Sequence, residues 1–538
     1  MYKKLLAFAL ALCLCISLAA CAKTPASSTA PTPSDTTESK SDTTDSKYPL
    51  VSSPVTVEGV VFGSSDDTKR ITWDKLAELT GITVNWKIVS DEQKPVFIAA
   101  GNWPDLFHGG FGDDLIEEWG VVGKKLVNFE DYADVMPNLQ QTYKDYDNYG
   151  GKRIAQATDG GVYGLIRIDD GPTNTVVRMH YNADVLKEYG LETPTTTEEF
   201  YNVLKAIQAK TGEAPMADTM LAYSWANPCD VFIFPSFGKL TQPDFAADEN
   251  GKVSNGRLSD QYRLTMQYMN RLYAEGLLHK EYLTLDSSTR KSLIEARKAV
   301  FGMDQFANIS VDVVGGSWDN LKTLAPLTSE YDNERVVEAS NPIEKTRTVV
   351  NADSKYAKEI CQMLDIFFAS KEVAEGTGLY GVAGTYGPEN VTWKWVDKDH
   401  TTYEYIIPSD YTEAANTFQN NRVIFSNLGR YDVFKNAVVA EESNNRARQL
   451  GFIENFHPYK EKHPFVYGSL NEEEQNVVNT YLTDFQEYVK EWNSAFITGT
   501  KNPNDDAVWK EYIDGFAKLH TDELIGAYQS AYDRFNGK

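Results

Sequence analysis

The amino-acid sequence predicts an α/β fold with a helical extension at its carboxyl end. Strand, helix and strand patterns follow one another between Val55 and Val89, and this β-α-β order is typical of an α/β sheet. Strand and helix patterns continue to alternate as far as about residue 370. The carboxyl-terminal part is mostly helical in its pattern, which predicts the extension.

The opening unit is predicted from three short segments. The stretch VTVEGVVFG, from Val55 to Gly63, predicts a strand, and ITVNWKIV, from Ile82 to Val89, shows the β-branched alternation that strands prefer. Between them, Trp73 to Leu79 has helical spacing, and Gly81 ends the helix. The crossover between the two strands is expected to be right-handed.

Longer helices carry start and stop signals. The segment Thr193–Gly212 begins with Thr and Pro, has Glu198 and Glu199 in its first turn, and ends at a glycine. Apolar residues at helical spacing predict further helices at Asp260–Leu278, Asn471–Trp492, Asp506–Leu519 and Asp522–Phe535. The turn Asp248–Gly251 predicts a hairpin, and it lacks the twelve-position ligand pattern of an EF-hand.

The amino terminus predicts an export signal that ends at a lipidated cysteine. Lys3 and Lys4 precede an apolar run from Leu5 to Ala20, which is shorter than the roughly 20 residues that a membrane-spanning helix needs. Two small residues before Cys21 match a bacterial lipoprotein box, so residues 1–20 are expected to be removed and Cys21 to receive a diacylglyceryl group. Two acyl chains give a durable attachment that a single chain does not. The alternative is an ordinary cleaved signal with a chance cysteine at the cut.

Residues 21–47 are predicted to form a lipidated flexible tether. From Ala22 to Lys47 the chain is rich in Ser, Thr, Pro, Asp and Lys and holds almost no large apolar residue. Such a segment cannot bury enough surface to offset the entropy of ordering. The lipid at Cys21 and this tether are therefore expected to hold a globular body on the extracellular face of the cell membrane.

Composition disfavours several kinds of partner for this body. The formal net charge of −25 at pH 7 opposes binding to nucleic acid, whose phosphates attract clustered Lys and Arg, and it disfavours a polyanionic ligand. Of the five cysteines, Cys229 and Cys361 remain in the folded part, where we expect two buried free thiols, with a single disulfide as the alternative. The seven histidines form no cluster with metal-ligand spacing, so no metal or cofactor is predicted.

Several segments, taken in order, are similar to those of a known family. They are GNWPDLF (Gly101–Phe107), YNADVLKEYGLETPTTTEEFYNVL (Tyr181–Leu204), LYAEGLLHKEYL (Leu272–Leu283) and the carboxyl-terminal stretches FITGTKNPNDDAVWKEYIDGF and DELIGAYQSAYDRF. Together they resemble the extracellular solute-binding proteins of carbohydrate ABC transporters, in particular the large lipoprotein branch found in Gram-positive bacteria. The chain departs from the family at Tyr380–Gly384, where Ala383 stands in place of a frequent Glu.

The resemblance implies a two-lobed fold of the periplasmic-binding-protein kind, type II-like, with a central sheet in each lobe and both lobes discontinuous in sequence. The ligand is expected between lobes that close by a hinge motion. The chain is expected to cross between the lobes near Asn174–Tyr181 and near Lys345–Val350. Lobe 1 would comprise residues 48–175 and 348–412, and lobe 2 residues 176–347 and 413–538.

Sugar recognition needs polar groups for the hydroxyls and flat aromatic rings for the C–H faces of the ligand. Loops that follow strands are the expected position, because ligands of open α/β sheets meet the carboxyl ends of the strands. The predicted substrate-binding residues are Asp66, Asp67, His108, Asp113, Trp225, Asp230, Asp304, Phe306, Trp318, Trp393 and Trp395. The alternative for Asp66 and Asp67 is a helix cap, and for the tryptophans it is packing in the core.

These features predict a lipid-anchored receptor that captures an oligosaccharide outside the cell and delivers it to the permease subunits of an ABC importer. We expect a monomer that needs no cofactor and catalyses no reaction. A secreted carbohydrate-active hydrolase or an esterase is one alternative, although the chain has no G-x-S-x-G, H-E-x-x-H or P-loop motif. A structural surface lipoprotein is another, and the last is a binding protein for a peptide, an ion or another non-sugar solute.

Overall fold

The chain folds around two main β-sheets, one in each of two lobes. The computed structural model describes residues 47–63, 71–171, 177–217, 229–248, 250–304, 320–338, 341–370, 387–407, 409, 428–430, 434–441, 443–461 and 464–537. Asp304 is described through its backbone alone.

The described strands are β1 Val55–Phe62, β2 Ile82–Val89, β3 Leu106–His108, β4 Leu165–Ile168, β5 Arg178–Asn182, β6 Phe245–Ala247, β7 Val253–Asn255, β8 Phe301–Asp304, β9 Leu321–Thr323, β10 Ile343–Val350, β11 Trp393–Trp395, β12 Thr402–Tyr405, β13 Gly429–Arg430 and β14 Val438–Val439. The described α-helices are α1 Ile71–Thr80, α2 Lys94–Ala99, α3 Asp113–Leu115, α4 Pro137–Asp145, α5 Lys152–Ala155, α6 Ala183–Glu188, α7 Thr197–Thr211, α8 Asp260–Ala274, α9 Ser287–Glu295, α10 Ala357–Asp365, α11 Asn444–Asn455, α12 Glu472–Thr498, α13 Asp506–Phe516 and α14 Thr521–Phe535.

The first lobe is built on a six-stranded sheet with the strand order β13-β4-β10-β3-β1-β2. The predicted β-α-β opening is confirmed, because β1 and β2 run parallel with Val55 beside Ile82 and Phe62 beside Val89, and α1 connects them. Strand β10 is antiparallel to both of its neighbours, β3 and β4. Buried side chains of α1, α4 and α10 pack on this sheet and form the core of the first lobe.

The second lobe contains an antiparallel sheet with the order β8-β5-β9. Helix α7 begins after Thr196, whose side chain accepts a hydrogen bond from the backbone N–H of Glu199, and it ends at Gly212 in the left-handed conformation. The glutamate in the first turn and the glycine at the end of the helix are the start and stop signals predicted from the sequence. The helix buries an apolar face completely, at Phe200, Leu204 and Ile207. Burial of each such side chain contributes roughly 1.5–3 kcal/mol before entropy is counted.

The predicted carboxyl-terminal extension consists of α12, α13 and α14, and its buried residues belong to the core of the second lobe. Helix α12 begins with a capping box in which Asn471 and Glu474 exchange hydrogen bonds, and it ends before Gly499, whose φ is 79°. It therefore continues past the predicted end at Trp492. The last turn of α14 reaches the first lobe, where the guanidinium of Arg153 lies 4.8 Å from the ring centroid of Phe535.

Two smaller sheets complete the described structure. Strands β6 and β7 form the hairpin predicted around Asp248, whose backbone N–H donates to the carbonyl of Lys252 at 3.0 Å. Strands β11, β12 and β14 form a separate three-stranded sheet with its own aromatic core. This small sheet contains two of the predicted sugar-binding residues, Trp393 and Trp395.

The chain passes between the two main sheets after β4 and returns to the first sheet at β10. The first passage lies between Ile168 and Arg178, and part of the predicted crossing at Asn174–Tyr181 is outside the described residues. The second passage lies between Thr323 and Ile343, so the predicted boundary at residues 347 and 348 falls inside β10. Strand β13 lies in a range predicted to belong to lobe 2, but it pairs with β4 of the first sheet.

The two cysteines of the body, Cys229 and Cys361, are buried free thiols. They lie in the cores of different lobes, Cys229 in the second and Cys361 in the first, so the structure has the predicted thiols and not the alternative disulfide. Among the described helices, none combines the length and the apolar character of a membrane-spanning segment. The predicted signal, Cys21 and most of the tether lie outside the described residues.

Candidate functional site

One edge of the first sheet gathers the ends of several strands. Because β1 and β3 are parallel, Phe62 and His108 end at the same edge. Strand β10 runs the other way and starts there at Ile343, beside Ile168 at the end of β4. Ligands of open α/β sheets bind beyond the carboxyl ends of the strands. We therefore take this carboxyl edge as the candidate functional site.

Asp113 is the predicted site residue with the richest contacts at this edge. It is the first residue of α3, and it follows β3 after Gly109 and Gly110, whose φ angles of 75° and 82° are in the region that favours glycine. One carboxylate oxygen of Asp113 lies 3.0 Å from Nζ of Lys345, and the other accepts a hydrogen bond from Nη2 of Arg347. The two cations come from β10, more than two hundred residues away in sequence.

An irregularity in β10 aims both cations at Asp113. The pairing of β10 with β4 shifts between Glu344 and Thr348, and Arg347 in between has a positive φ of 53°. Bulges of this kind re-aim side chains, and they are frequent next to functional sites. The neighbouring strand approaches closely, since a Cβ at Gly164 would lie only 2.9 Å from Cβ of Arg347.

Burial shapes the electrostatics of this cluster, which we call the Asp113 cluster and define as Asp113, Lys345, Arg347 and Ser469. Lys345 also donates to Oγ of Ser469 at 3.2 Å. Burial lowers the pKa of Lys345 to about 8 and that of Arg347 to about 10, because an enclosed cation loses hydration. The carboxylate of Asp113 keeps lone pairs beyond those that the two cations use, so it can accept hydrogen bonds from ligand hydroxyls.

His108 follows the same strand but is placed differently. Its side chain is 1% exposed, and its Nδ1 lies 3.0 Å from Oγ1 of Thr348, which ties the ends of β3 and β10 together. The rings of Trp73 and Trp86 pack against it edge-on, with centroids 6.4 and 6.1 Å away. In this conformation the imidazole offers no open surface, and its role in binding stays a prediction.

A second charged group lies where the chain leaves β4. The backbone N–H of Asp169 donates to the carbonyl of Pro342 at 2.7 Å, so the two passages between the sheets contact each other. Arg167 pairs with Asp169 at 2.5 Å, and Lys435 pairs with Asp170 at 2.5 Å. These two aspartates were not among the predicted site residues. They directly follow the strand LIRI, so the expectation that ligands meet the carboxyl ends of strands could have identified them.

The second lobe presents the edge of its own sheet to the same passages. Arg178, at the start of β5, pairs in register with Asp304 at the end of β8, so the predicted residue Asp304 stands at this edge. Arg178 as a whole is 1% exposed, and its guanidinium carbon lies 4.9 and 5.3 Å from the ring centroids of Phe452 and Phe456. The carboxyl edge of the first sheet and this edge of the second sheet thus both adjoin the passages between the lobes.

Asp230 is placed in a buried ion pair. Its two carboxylate oxygens accept hydrogen bonds from Nη1 and Nη2 of Arg257 at 2.9 and 2.8 Å. The same guanidinium donates to Asp244 at 2.7 Å and to the hydroxyl of Tyr262 at 2.6 Å. The side chain of Asp230 is 11% exposed, which favours a structural role over the predicted contact with sugar.

Trp393 and Trp395 lie on β11 of the small sheet. Trp393 is fully buried, and its Nε1 donates to the carbonyl of Gly387 at 2.9 Å. Trp395 is partly buried, and its ring stacks on the ring of the exposed His400 with centroids 4.6 Å apart. This placement supports the alternative of core packing for Trp393. For both residues the predicted contact with sugar has no support from their surroundings.

The remaining predicted site residues fall outside the described part of the chain. They are Asp66, Asp67, Trp225, Phe306 and Trp318. Within the described ranges, no group of three or more His, Cys, Asp or Glu side chains is arranged to hold a metal ion.

Comparisons with known proteins match this architecture. Among relatives, the fructooligosaccharide ABC transporter substrate-binding protein FusA of Streptococcus pneumoniae serotype 4 is 23% identical over 510 residues, which cover 91% of this chain and 90% of FusA. The structure of FusA in complex with kestose superimposes with a TM-score of 0.65 and 20% identity, over 90% of this chain and all of FusA's. A solute-binding protein from Bifidobacterium longum infantis, described as HMO-binding and associated with an ABC transporter, gives a TM-score of 0.69 at 16% identity, over 90% of this chain and 99% of its own.

These structural likenesses confirm the predicted two-lobed α/β fold with its carboxyl-terminal helices. The sequence itself matches the family described as bacterial extracellular solute-binding protein over residues 66–375, which is more than half of the chain. The resemblance inferred from the sequence segments is thereby confirmed. The protein belongs to the bacterial extracellular solute-binding protein family.

Proposed function

We propose that the protein is a lipid-anchored extracellular receptor that binds an oligosaccharide between its lobes and delivers it to the permease of an ABC importer. The observation that carries this proposal is the similarity to FusA over nine-tenths of both chains, since FusA is named as the substrate-binding protein of a fructooligosaccharide transporter. The carboxyl edge of the first sheet, with Asp113 partly exposed, supplies polar groups suited to sugar hydroxyls.

The proposed mechanism is a change in the population of open and closed forms. Hydroxyls of the sugar would donate to Asp113 on the first lobe, while residues at the edge of β5 and β8 would contact it from the second lobe. Contacts that exist only when both lobes reach the ligand stabilise the closed form. Closure needs no bond making or breaking, so the protein is proposed to act without a catalytic residue or a cofactor.

Two other functions are less well supported. A carbohydrate-active hydrolase needs two facing carboxylates at a defined separation, whereas Asp113, Asp169 and Asp170 at the candidate edge are each engaged by a cation. Binding of a peptide or another non-sugar solute fits the same fold, and the experiment below separates it from binding of sugar.

The test uses a soluble protein that begins at Tyr48. Calorimetric titration with neutral and acidic oligosaccharides, and with peptides as the comparison, should give saturable binding to a sugar. Small-angle scattering should then show a smaller radius of gyration with that sugar, because the lobes close. Trp225→Ala and Phe306→Ala should each weaken binding by about 1–3 kcal/mol without a change in the melting temperature, if both rings stack on the sugar. Saturable binding of peptide in place of sugar would disprove the proposal.

The membrane anchor is tested at Cys21. In a bacterial host, Cys21→Ala should block signal processing or release the protein from the membrane fraction, because the thiol that accepts the two acyl chains is gone. Fractionation followed by detergent-phase partitioning measures this. Cys15→Ala, in the part of the signal that is removed, is the matched control and should remain anchored. Undiminished membrane retention of the Cys21 variant would exclude a lipid anchor at this position.

A further inference from the structure

The Asp113 cluster contains more positive than negative charge. Lys345 and Arg347 contribute two cations and Asp113 a single carboxylate, whereas Ser469 is neutral. This local excess stands in a chain whose formal net charge is −25. At the same edge, Asp170 also faces two lysines, Lys435 at 2.5 Å and Lys460 at 3.9 Å. Arg167 is shared by Asp169 and Glu344, so the excess of positive charge at this edge belongs to the Asp113 cluster.

Arg347 has donor capacity that its surroundings do not use. Its side chain is 2% exposed, and its Nη1 has no hydrogen-bond acceptor within reach among the described residues. A buried donor without an acceptor costs free energy, and the cost is larger for a charged group. The guanidinium fork is suited to a carboxylate, which it can bind through two parallel hydrogen bonds. The strained backbone at this residue, with its φ of 53°, is typical of a functional position.

Lys345 is the member of the pair that a ligand can reach. Its side chain is 25% exposed, and that of Asp113 is 34% exposed, so the entrance to the cluster is open at these two residues. Burial already disfavours the charge of Lys345. An anion placed beside its ammonium group compensates for the lost hydration, which a neutral sugar hydroxyl does only weakly.

We infer that the oligosaccharide carries a carboxylate, and that Lys345 together with Arg347 selects an acidic sugar unit over its neutral counterpart. This inference rests on the function proposed above. It concerns one acidic unit held by local charge, and the net charge of the chain does not oppose it, because salt screens charges beyond roughly 8 Å. The positive side chains of the cluster then act as specificity-determining residues for the bound sugar.

The test compares acidic sugars with the same sugars whose carboxylate is neutralised as a methyl ester. The full chain, purified in detergent, is titrated with glucuronoxylotriose and sialyllactose, which carry one carboxylate each, and with the methyl ester of each. At least one acid should bind about tenfold more tightly than its ester at about 150 mM salt, where charges beyond roughly 8 Å are screened, and the ratio should shrink at about 1 M. Lys345→Gln should bring the ratio close to one, and Lys345→Arg should keep most of it because the charge is retained.

Lys125→Gln is the matched control. Lys125 pairs with Asp353 at 2.9 Å and lies beyond the end of β10, at the opposite edge of the same sheet, so this change should leave the acid-to-ester ratio unaltered. If every ester binds as tightly as its acid, the inference is overturned while the binding of oligosaccharide stands. If neither acids nor neutral sugars bind, both the inference and the proposed function fall. A ratio that persists in Lys345→Gln also overturns the assignment to this cluster.

Discussion

Replacing Arg257 by Met should lower the free energy of unfolding by about 3–5 kcal/mol, because the change removes the guanidinium that pairs with the buried carboxylate of Asp230. The two side chains are only 4% and 11% exposed, so water cannot replace the lost partner. Asp244 and Tyr262 lose a hydrogen bond from the same group. Thermal and denaturant unfolding of the ligand-free protein measure the effect.

The matched control is an exposed ion pair of the same lobe. Arg297 pairs with Glu188 at 3.1 Å, with side chains 46% and 60% exposed, and Arg297→Met should cost no more than about 1 kcal/mol. Combining Arg257→Met with Asp230→Leu should recover part of the lost stability, since no buried charge then remains. If Asp230→Asn instead weakens sugar binding and leaves the stability unchanged, the original prediction of a contact with sugar is restored.

The elements of the fold were predictable because their signals are local. The strand alternation of Val55–Gly63, the cap and stop of the helix that ends at Gly212, and the long carboxyl-terminal helices are all read from neighbouring residues. Helix ends were less accurate. The helix predicted to reach Leu278 stops at Ala274, and the helix predicted to stop at Trp492 continues to the glycine at position 499, where a left-handed residue is favourable.

The partners of the site residues were not predictable, because they are distant in sequence. Nothing near Asp113 indicates Lys345 or Arg347, and the alternation in IEKTRTVV gives no sign of the bulge that aims them. Asp230 lies in a turn-rich stretch that suggested a binding loop, whereas its environment is set by Arg257, 27 residues later. Polar residues on predicted loops look alike in sequence, and only the tertiary structure separates a buried ion pair from an open carboxylate.

Trp393→Ala should destabilise the protein by about 3–5 kcal/mol, because it removes the largest buried side chain of the small sheet. The indole packs against Phe434 and Tyr403, with ring centroids 4.9 and 6.3 Å away, and its N–H is bonded to Gly387. Truncation leaves a cavity among these rings. A lower melting temperature of the ligand-free protein, together with faster hydrogen exchange in β11 and β12, is the expected result.

Trp395 provides the comparison, since it lies two residues along the same strand. It is partly exposed and stacks on His400, so Trp395→Ala should cost clearly less stability than Trp393→Ala. Affinity for the sugar is measured on both variants. Truncating a ring that stacks on the sugar lowers the affinity, whereas truncating a core ring lowers the stability. Loss of affinity at an unchanged melting temperature in Trp393→Ala would show that the ring reaches the ligand despite its burial here. Loss of stability at unchanged affinity assigns Trp393 to the core, where the packing around it already places it.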